Sequence, residues 1–287
     1  RPLSIGKLNN SYILASETCA FDAVNAEFIR DVEPGEVVVI DKDGLRSIKD
    51  NCSGTSNMCI FEFIYFARPD SIIEGASVYE ARKEAGRLLA KEHPVEADLV
   101  IGVPDSGLSA AIGYAEESGI PYGEGLIKNR YIGRTFIQPT QSQREIGVKI
   151  KLNALKSSIE GKRIVMIDDS IVRGTTSRRI VSMLKDAGAK EVHLRVSSPP
   201  FKWPCYFGTD IPSRKQLVAC NNTIDEIRDM IGADSLGYLS LESLSKMAVG
   251  AKCGFCDGCF TGKYPMKVPK EADKMEFDRR SHHERQL

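Results

Sequence analysis

Along the middle of the chain, short apolar runs alternate with stretches whose apolar residues recur every three or four positions. Asp98-Leu-Val-Ile-Gly-Val103 and the segments 162–167 and 191–197 are of the first kind. They are too short for helices and are bounded by glycine or charged residues, so they read as buried strands. Between them, Val78, Ala81, Ala85, Leu88 and Leu89 fall at helical spacing ahead of Pro94, and helices are also expected over 108–118 and 175–187. Phe61-Glu-Phe-Ile-Tyr-Phe66 is rich in aromatic residues and reads as one more strand. This alternation predicts an α/β fold, a parallel sheet with helices on both faces. Ligands of such sheets sit outside the carboxyl ends of the strands, so the strand-to-helix turns are where chemistry is expected.

Residues 1–50 follow the shorter period. Strands are expected at 12–16, 27–32, 37–40 and 45–48, with turns at Glu33-Pro-Gly-Glu36 and Asp41-Lys-Asp-Gly44. Such a meander has little of its own to pack against. It is therefore expected to be the closing, β-rich part of a domain that begins outside this sequence. Residues 51–265 form the α/β domain, and the charged stretch 266–287 is expected to be a mobile tail.

Composition narrows the function. Lys+Arg and Asp+Glu both number 39, so no global basic field exists to hold nucleic acid or an anionic membrane. Hydrophobic residues make up 42% and charged residues 27%, ordinary globular usage that excludes a disordered or collagen-like chain. No apolar run nears the ~18 residues of a membrane span, and the first residues lack the pattern of a signal peptide. Eight cysteines in 287 residues are too sparse for a disulfide scaffold. Reduced thiols in a cytoplasmic protein, some of them binding metal, fit better.

The most informative stretch is Arg163-Ile-Val-Met-Ile-Asp-Asp-Ser-Ile-Val-Arg-Gly-Thr-Thr-Ser177. An apolar strand delivers Asp168 and Asp169 to its carboxyl end, where strand becomes loop and both can turn toward one ligand. Ser170, Arg173, Gly174, Thr175, Thr176 and Ser177 follow and open a helix. Glycine permits close approach, and backbone N–H groups and hydroxyls supply donors, so this is an anion site. Acids beside a phosphate nest suit a phosphorylated sugar, with the acids on the ribose hydroxyls. A merely capped turn with solvated acids is the plain alternative, but two acids ending a buried strand are costly without a partner.

This stretch resembles the phosphoribosylpyrophosphate (PRPP) signature of the type I phosphoribosyltransferases. Val103-Pro-Asp-Ser-Gly-Leu108 resembles the pyrophosphate loop of that fold, which brings in Asp105, Ser106 and Gly107. Lys128-Asn-Arg-Tyr-Ile-Gly-Arg-Thr-Phe-Ile-Gln138 is similar to the mobile loop of the glutamine phosphoribosylpyrophosphate amidotransferases. Arg1-Pro-Leu-Ser4, Ala15-Ser-Glu-Thr18 and Arg30-Asp-Val-Glu-Pro-Gly35 resemble the last strands of their Ntn-type glutaminase domain. The resemblance implies displacement of pyrophosphate from PRPP by ammonia, drawn from glutamine in the intact enzyme, to give 5-phosphoribosylamine in purine biosynthesis. It places Mg²⁺ at Ser106, Asp168 and Asp169, and gives Lys128, Arg130 and Arg134 the task of neutralising pyrophosphate as the loop closes. It also implies inhibition by purine nucleotides and a homo-oligomer, such as a tetramer. The family's glutaminase works through an N-terminal cysteine. This chain starts at Arg1, so ammonia rather than glutamine is the donor expected of it alone. A PRPP-binding regulator on the same fold is the alternative reading.

Cys253-Gly-Phe-Cys256-Asp-Gly-Cys259 is a CxxCxxC run, which points to a metal or a cluster without choosing zinc over iron–sulfur. The iron–sulfur branch of the family has words similar to Met58-Cys-Ile-Phe-Glu62, Trp203-Pro-Cys-Tyr-Phe-Gly208 and the CxxCFTGKYP ending. By that resemblance Cys59, Cys205, Cys256 and Cys259 hold a 4Fe–4S cluster, with a Cys₄ zinc site as the alternative and Cys253 as a spare or a competitor. Cys52 and Cys220 are expected to be small buried residues. None of His93, His193, His282 and His283 is expected to be catalytic.

Overall fold

A computed structural model of the chain describes residues 1–52, 54, 56–129, 131, 152–209 and 214–268. Strand β1 (Ser4–Leu8) pairs antiparallel with β2 (Ser11–Ala15) and with β3 (Glu27–Asp31). The single turn α1 (Cys19–Asp22) lies between β2 and β3, and its Phe21 packs on Gly6. β4 (Val37–Asp41) and β5 (Gly44–Ile48) form a separate hairpin. Ile5 and Phe21 are buried, whereas Leu14, Phe28, Val37, Ile40 and Ile48 stay exposed. This matches the sparse packing that the sequence implies for residues 1–50.

After β6 (Asn57–Cys59) the chain departs from the sequence reading. Residues 61–66 are not a strand but contain a π-helical turn, Glu62–Phe66. Phe61, Glu62, Phe63 and Ile64 are all buried, a continuous run that alternating faces do not require. The short pair β7 (Ile72–Ile73) and β8 (Ala76–Ser77) leads into α2 (Val78–Glu92), which opens where Ser77 accepts the Glu80 N–H at 3.3 Å. α2 supplies what holds the π-turn. The buried Arg82 donates to the carbonyls of Phe63 at 2.7 Å and Ala67 at 2.8 Å, and so satisfies one acceptor within the turn and one just beyond it.

The central elements follow as β9 (Leu99–Gly102), α3 (Leu108–Ser118), β10 (Leu126–Lys128), β11 (Leu152–Ala154), α4 (Lys156–Ile159), β12 (Arg163–Asp168), α5 (Thr175–Asp186) and β13 (Glu191–Val196). Beyond them come α6 (Val218–Asn221), α7 (Ile224–Ile231), β14 (Ser235–Tyr238), α8 (Leu241–Leu244), β15 (Gly254–Cys256) and α9 (Gly258–Thr261). The main sheet is parallel throughout, in the order β14–β13–β12–β9. β12 is central, and its alternation feeds both layers. Val165 and Ile167 face a core with Ala81, Ala85 and Leu89 of α2 and Tyr114 of α3. Ile164 and Met166 face another with Ile180 and Leu184 of α5 and Ile227 of α7. All four of these β12 residues are fully buried, each contributing about 1.5–3 kcal/mol as an upper bound. The strand that carries the acids is thus held by a neighbour on each side and by a core on each face. Outside it, β15 pairs in parallel with β6 and sets Cys256 opposite Cys59.

Candidate functional site

β12 ends at Asp168, and Asp169 is the first residue beyond it; both are only 7% exposed. Asp169 accepts from the hydroxyls of Ser106 at 2.8 Å and Ser170 at 2.6 Å, and its own N–H donates to Asp168 Oδ1 at 3.0 Å. Ser106 reaches this strand end because the loop after β9 folds over β12. The Val103 N–H donates to the Ile167 carbonyl at 2.8 Å and the Gly107 N–H to the Val103 carbonyl at 3.0 Å. A Cβ on Gly107 would lie 2.4 Å from the Ile167 carbonyl oxygen, so only glycine fits there. Asp105 stands outward on the same loop and pairs with Lys128 at the end of β10, an exposed contact of little energetic weight. Arg130 and Arg134 lie outside the described residues.

Burial drives the carboxyl of Asp168 well above the ordinary range, and repulsion from Asp169 adds to this. Burial raises Asp169 as well, while the hydroxyls of Ser170 and Ser106 favour its ionised form. Two buried acids with hydroxyl donors are a hard-oxygen site short of a positive charge. That donor set fits Mg²⁺, which is commonly held by one or two carboxylates and completed by substrate phosphates.

Gly174 stands at φ +77 and turns the chain into α5. Thr175 and Thr176 are exposed at the helix N-terminus, and Ser177 is buried. The free N–H groups of this first turn can hold an anion. Arg173 beside it is exposed and donates to Gln216 Oε1 at 2.6 Å, and the Val172 carbonyl accepts the Val218 N–H at 2.9 Å. Gln216 and Arg82 went unread in the sequence. Gln216 sits 43 residues from Arg173 in a short 3₁₀ turn with no periodic pattern to mark it.

Cys59, Cys205, Cys256 and Cys259 converge from β6, the loop after β13, β15 and α9. Burial pushes the Cys59 thiol up to about 11 and raises Cys256 and Cys259, with further contributions from their neighbours among these four sulfurs. Backbone N–H groups of Phe207 and Thr209 donate to Cys205 Sγ, each at 3.4 Å, and those of Phe61 and Gly258 favour the thiolates of Cys59 and Cys256. Cys253 stands apart: its thiol is raised to about 11 by burial and by Glu74, not by the other cysteines. Among the described residues, no three Cys, His, Asp or Glu side chains stand close enough together to hold a metal ion. Cys52 and Cys220 are half-buried rather than buried, and Cys220 Sγ donates to the Lys202 carbonyl at 3.1 Å.

Two histidines belong to the packing. His93 Nε2 lies 2.9 Å from the Tyr238 carbonyl oxygen. His193 bridges Ser235 Oγ at 2.9 Å and Glu191 Oε2 at 3.0 Å. A cleft near Pro94, Ala97, Ile120 and Arg163 lies at the amino ends of β9 and β12, away from the acids. Arg163 there is paired with Asp98 and Glu96. Among the described residues no helix is long and apolar enough to cross a membrane.

Comparison with known proteins bears on the same residues. The phosphoribosyl transferase domain family matches residues 76–198, which include the loop after β9, the acids and the turn. The amidophosphoribosyltransferase of Archaeoglobus fulgidus is 57% identical over 273 residues, covering 94% of this chain and 60% of the relative. That of Bacillus subtilis is 56% identical over 273 residues, covering 93% and 57%. The solved B. subtilis glutamine PRPP amidotransferase, complexed with ADP and GMP, superposes with a TM-score of 0.86 at 55% identity over 94% of this chain and 60% of that one. The chain thus spans about 60% of the length of these relatives.

Proposed function

The chain belongs to the amidophosphoribosyltransferase family, and from that premise we propose that it displaces pyrophosphate from PRPP with ammonia, giving 5-phosphoribosylamine in purine biosynthesis. The observation that carries this reading is the buried Asp169 held by Ser106 and Ser170 beside the buried Asp168, one loop away from an open helix N-terminus. The 5′-phosphate takes the turn Ser170–Arg173–Gly174–Thr175–Thr176–Ser177. The ribose hydroxyls face Asp168 and Asp169, and the pyrophosphate lies along Asp105, Ser106 and Gly107. The ammonia lone pair forms the new bond to the anomeric carbon as its bond to pyrophosphate oxygen breaks, and the amine then loses one proton to solvent. The leaving group carries the charge, so the work of the protein is electrostatic. Lys128, already turned toward Asp105, contributes to it, joined by Arg130 and Arg134. Asp168, Asp169 and Ser106 would hold Mg²⁺, which would supply positive charge against the leaving pyrophosphate.

Cys59, Cys205, Cys256 and Cys259 hold a 4Fe–4S cluster in this proposal. Cys59, Cys205 and Cys256 lie near enough to Cys259 to act on its thiol, and a Cys₄ zinc site is the alternative occupant. The cluster has a structural role, since amination needs no electrons. Residues 1–50 close a glutaminase domain whose ammonia serves the site in the intact enzyme, residues 51–265 form the transferase, and 266–287 a tail. A relative is known with ADP and GMP bound, and purine nucleotides act here as inhibitors at and beside the PRPP site of a cytoplasmic homo-oligomer, such as a tetramer.

The test follows PRPP- and Mg²⁺-dependent pyrophosphate release under anaerobic conditions, with ammonium and with glutamine in separate reactions. Release with ammonium is the expected result. Tight PRPP binding without release from either donor would transfer the weight to a PRPP-responsive regulator.

A further inference from the structure

The phosphate turn has a support that belongs to none of its motifs. Residues 214–221 run past it as a 3₁₀ turn, Arg214–Gln216, followed by α6. Gln216 takes the Arg173 guanidinium at 2.6 Å, and the Val218 N–H fixes the Val172 carbonyl at 2.9 Å. Two successive residues of the turn are therefore pinned from one side, just before Gly174 changes the chain's direction. The segment is itself anchored at both ends. Arg214 stacks over the Trp203 ring at 4.1 Å, and Cys220 Sγ donates to the Lys202 carbonyl at 3.1 Å. Lys202 and Trp203 in turn donate their N–H groups to the Cys259 carbonyl, both at 3.1 Å. The indole also lies flush on Gly262, where a Cβ would come within 2.6 Å of the ring.

We infer that residues 214–221 are a brace that sets the shape of the phosphate turn, with Gln216 the positioning residue for Arg173 and the Trp203–Arg214 stack tying the brace to the cysteine region. The inference rests on the phosphoribosyl reading of the turn for its effect on affinity, but the brace itself is a property of the ligand-free chain. An Arg173 held from behind presents its remaining donors to an incoming phosphate without a search through rotamers, which lowers the cost of ordering on binding. Trp203 is the chain's one tryptophan, so its fluorescence reports directly on the stack.

Two variants of the full chain test this. Gln216→Met keeps the volume and removes the acceptor. Val218→Pro removes the N–H donated to Val172, with some change in the packing of a buried side chain: position 218 is the first of α6, where proline is tolerated, and Leu217 already has the extended backbone (φ −88, ψ 116) that a following proline requires. Hydrogen exchange across residues 170–177 is measured in the ligand-free protein, and PRPP affinity by calorimetry. Each variant is expected to raise exchange across 170–177 and to weaken PRPP binding about fivefold, the effect of one hydrogen bond. Gln216→Glu retains the acceptor and should restore wild-type exchange, a rescue that loss of packing alone would not give. Gln216→Met is also expected to shift the Trp203 emission. Unchanged exchange in Gln216→Met would overturn the brace, whatever the fate of the proline variant. A wild-type chain that takes up no PRPP would sink the proposed function instead, and the exchange data would still decide the brace.

Discussion

Asp169 is a residue whose removal should strengthen the fold and stop the reaction. It shares a strand end with Asp168, both are 7% exposed, and no cation pairs with either in the ligand-free chain among the hydrogen bonds and ion pairs described. Asp169→Asn removes one of two buried like charges while keeping the shape. The hydroxyls of Ser106 and Ser170 rotate, so one can donate to the new amide oxygen and the other accept from its nitrogen. Removing one of two adjacent buried like charges, only partly offset by the buried Arg82 guanidinium, is worth about 1–3 kcal/mol. That corresponds to a rise of about 2–10 °C in melting temperature without Mg²⁺ or PRPP. The pH dependence has a definite sign. Burial raises both carboxyls in the folded state, so the wild type is penalised above that raised range and relieved as pH falls and the acids protonate. The variant's advantage is therefore greatest above the raised range and shrinks as pH falls through it. Thermal melts of both proteins across that range read the effect, and Mg²⁺ should raise the wild-type melt more than the variant's. PRPP-dependent amination should fall by about 100-fold or more. A variant that melts lower than wild type at pH 8, or whose advantage grows on acidification, would refute the reasoning.

Two further outcomes are expected. Cys256→Ala should lower bound iron and the visible absorbance of anaerobically prepared protein, whereas Cys253→Ser should leave both unchanged because Cys253 faces Glu74 rather than the other sulfurs; iron analysis of the two variants decides it. Burial keeps His193 less basic than a free imidazole despite Glu191, so its contribution to stability is present above about pH 6.5 and lost as pH falls below it. Urea midpoints at pH 7.5 and 5.5 should thus separate more for the wild type than for His193→Gln.

How much of this was readable in the sequence depended on whether the deciding contacts were local. The strand Arg163–Asp168, the acids and the turn to Thr175 are contiguous, and their periodicity and glycine placement carry their own explanation. Residues 61–66 were misread because an aromatic run suits a strand as well as a helical turn. What decides between them is Arg82, whose donors come from a helix 19 residues from Phe63. The cysteine triplet has the same character. Spacing treats Cys253 and Cys256 alike, and only the register of β15 on β6 sets Cys256 beside Cys59. Gln216 left no trace in any motif, since its role exists only once the chain has folded back over the turn.

The β6–β15 pairing also has a consequence in time. Its two strands are almost 200 residues apart in the chain. A ribosome adding about 5–20 residues per second needs roughly 10–40 s to deliver the second strand after the first. The main sheet meets no such delay, because β9, β12, β13 and β14 take their places side by side in the order in which they are made. Cys59 therefore waits through the making of almost 200 further residues as an unpartnered thiol on an unpaired strand. Its exposure to oxidants is greatest on the nascent chain, before the protein it will close has been completed.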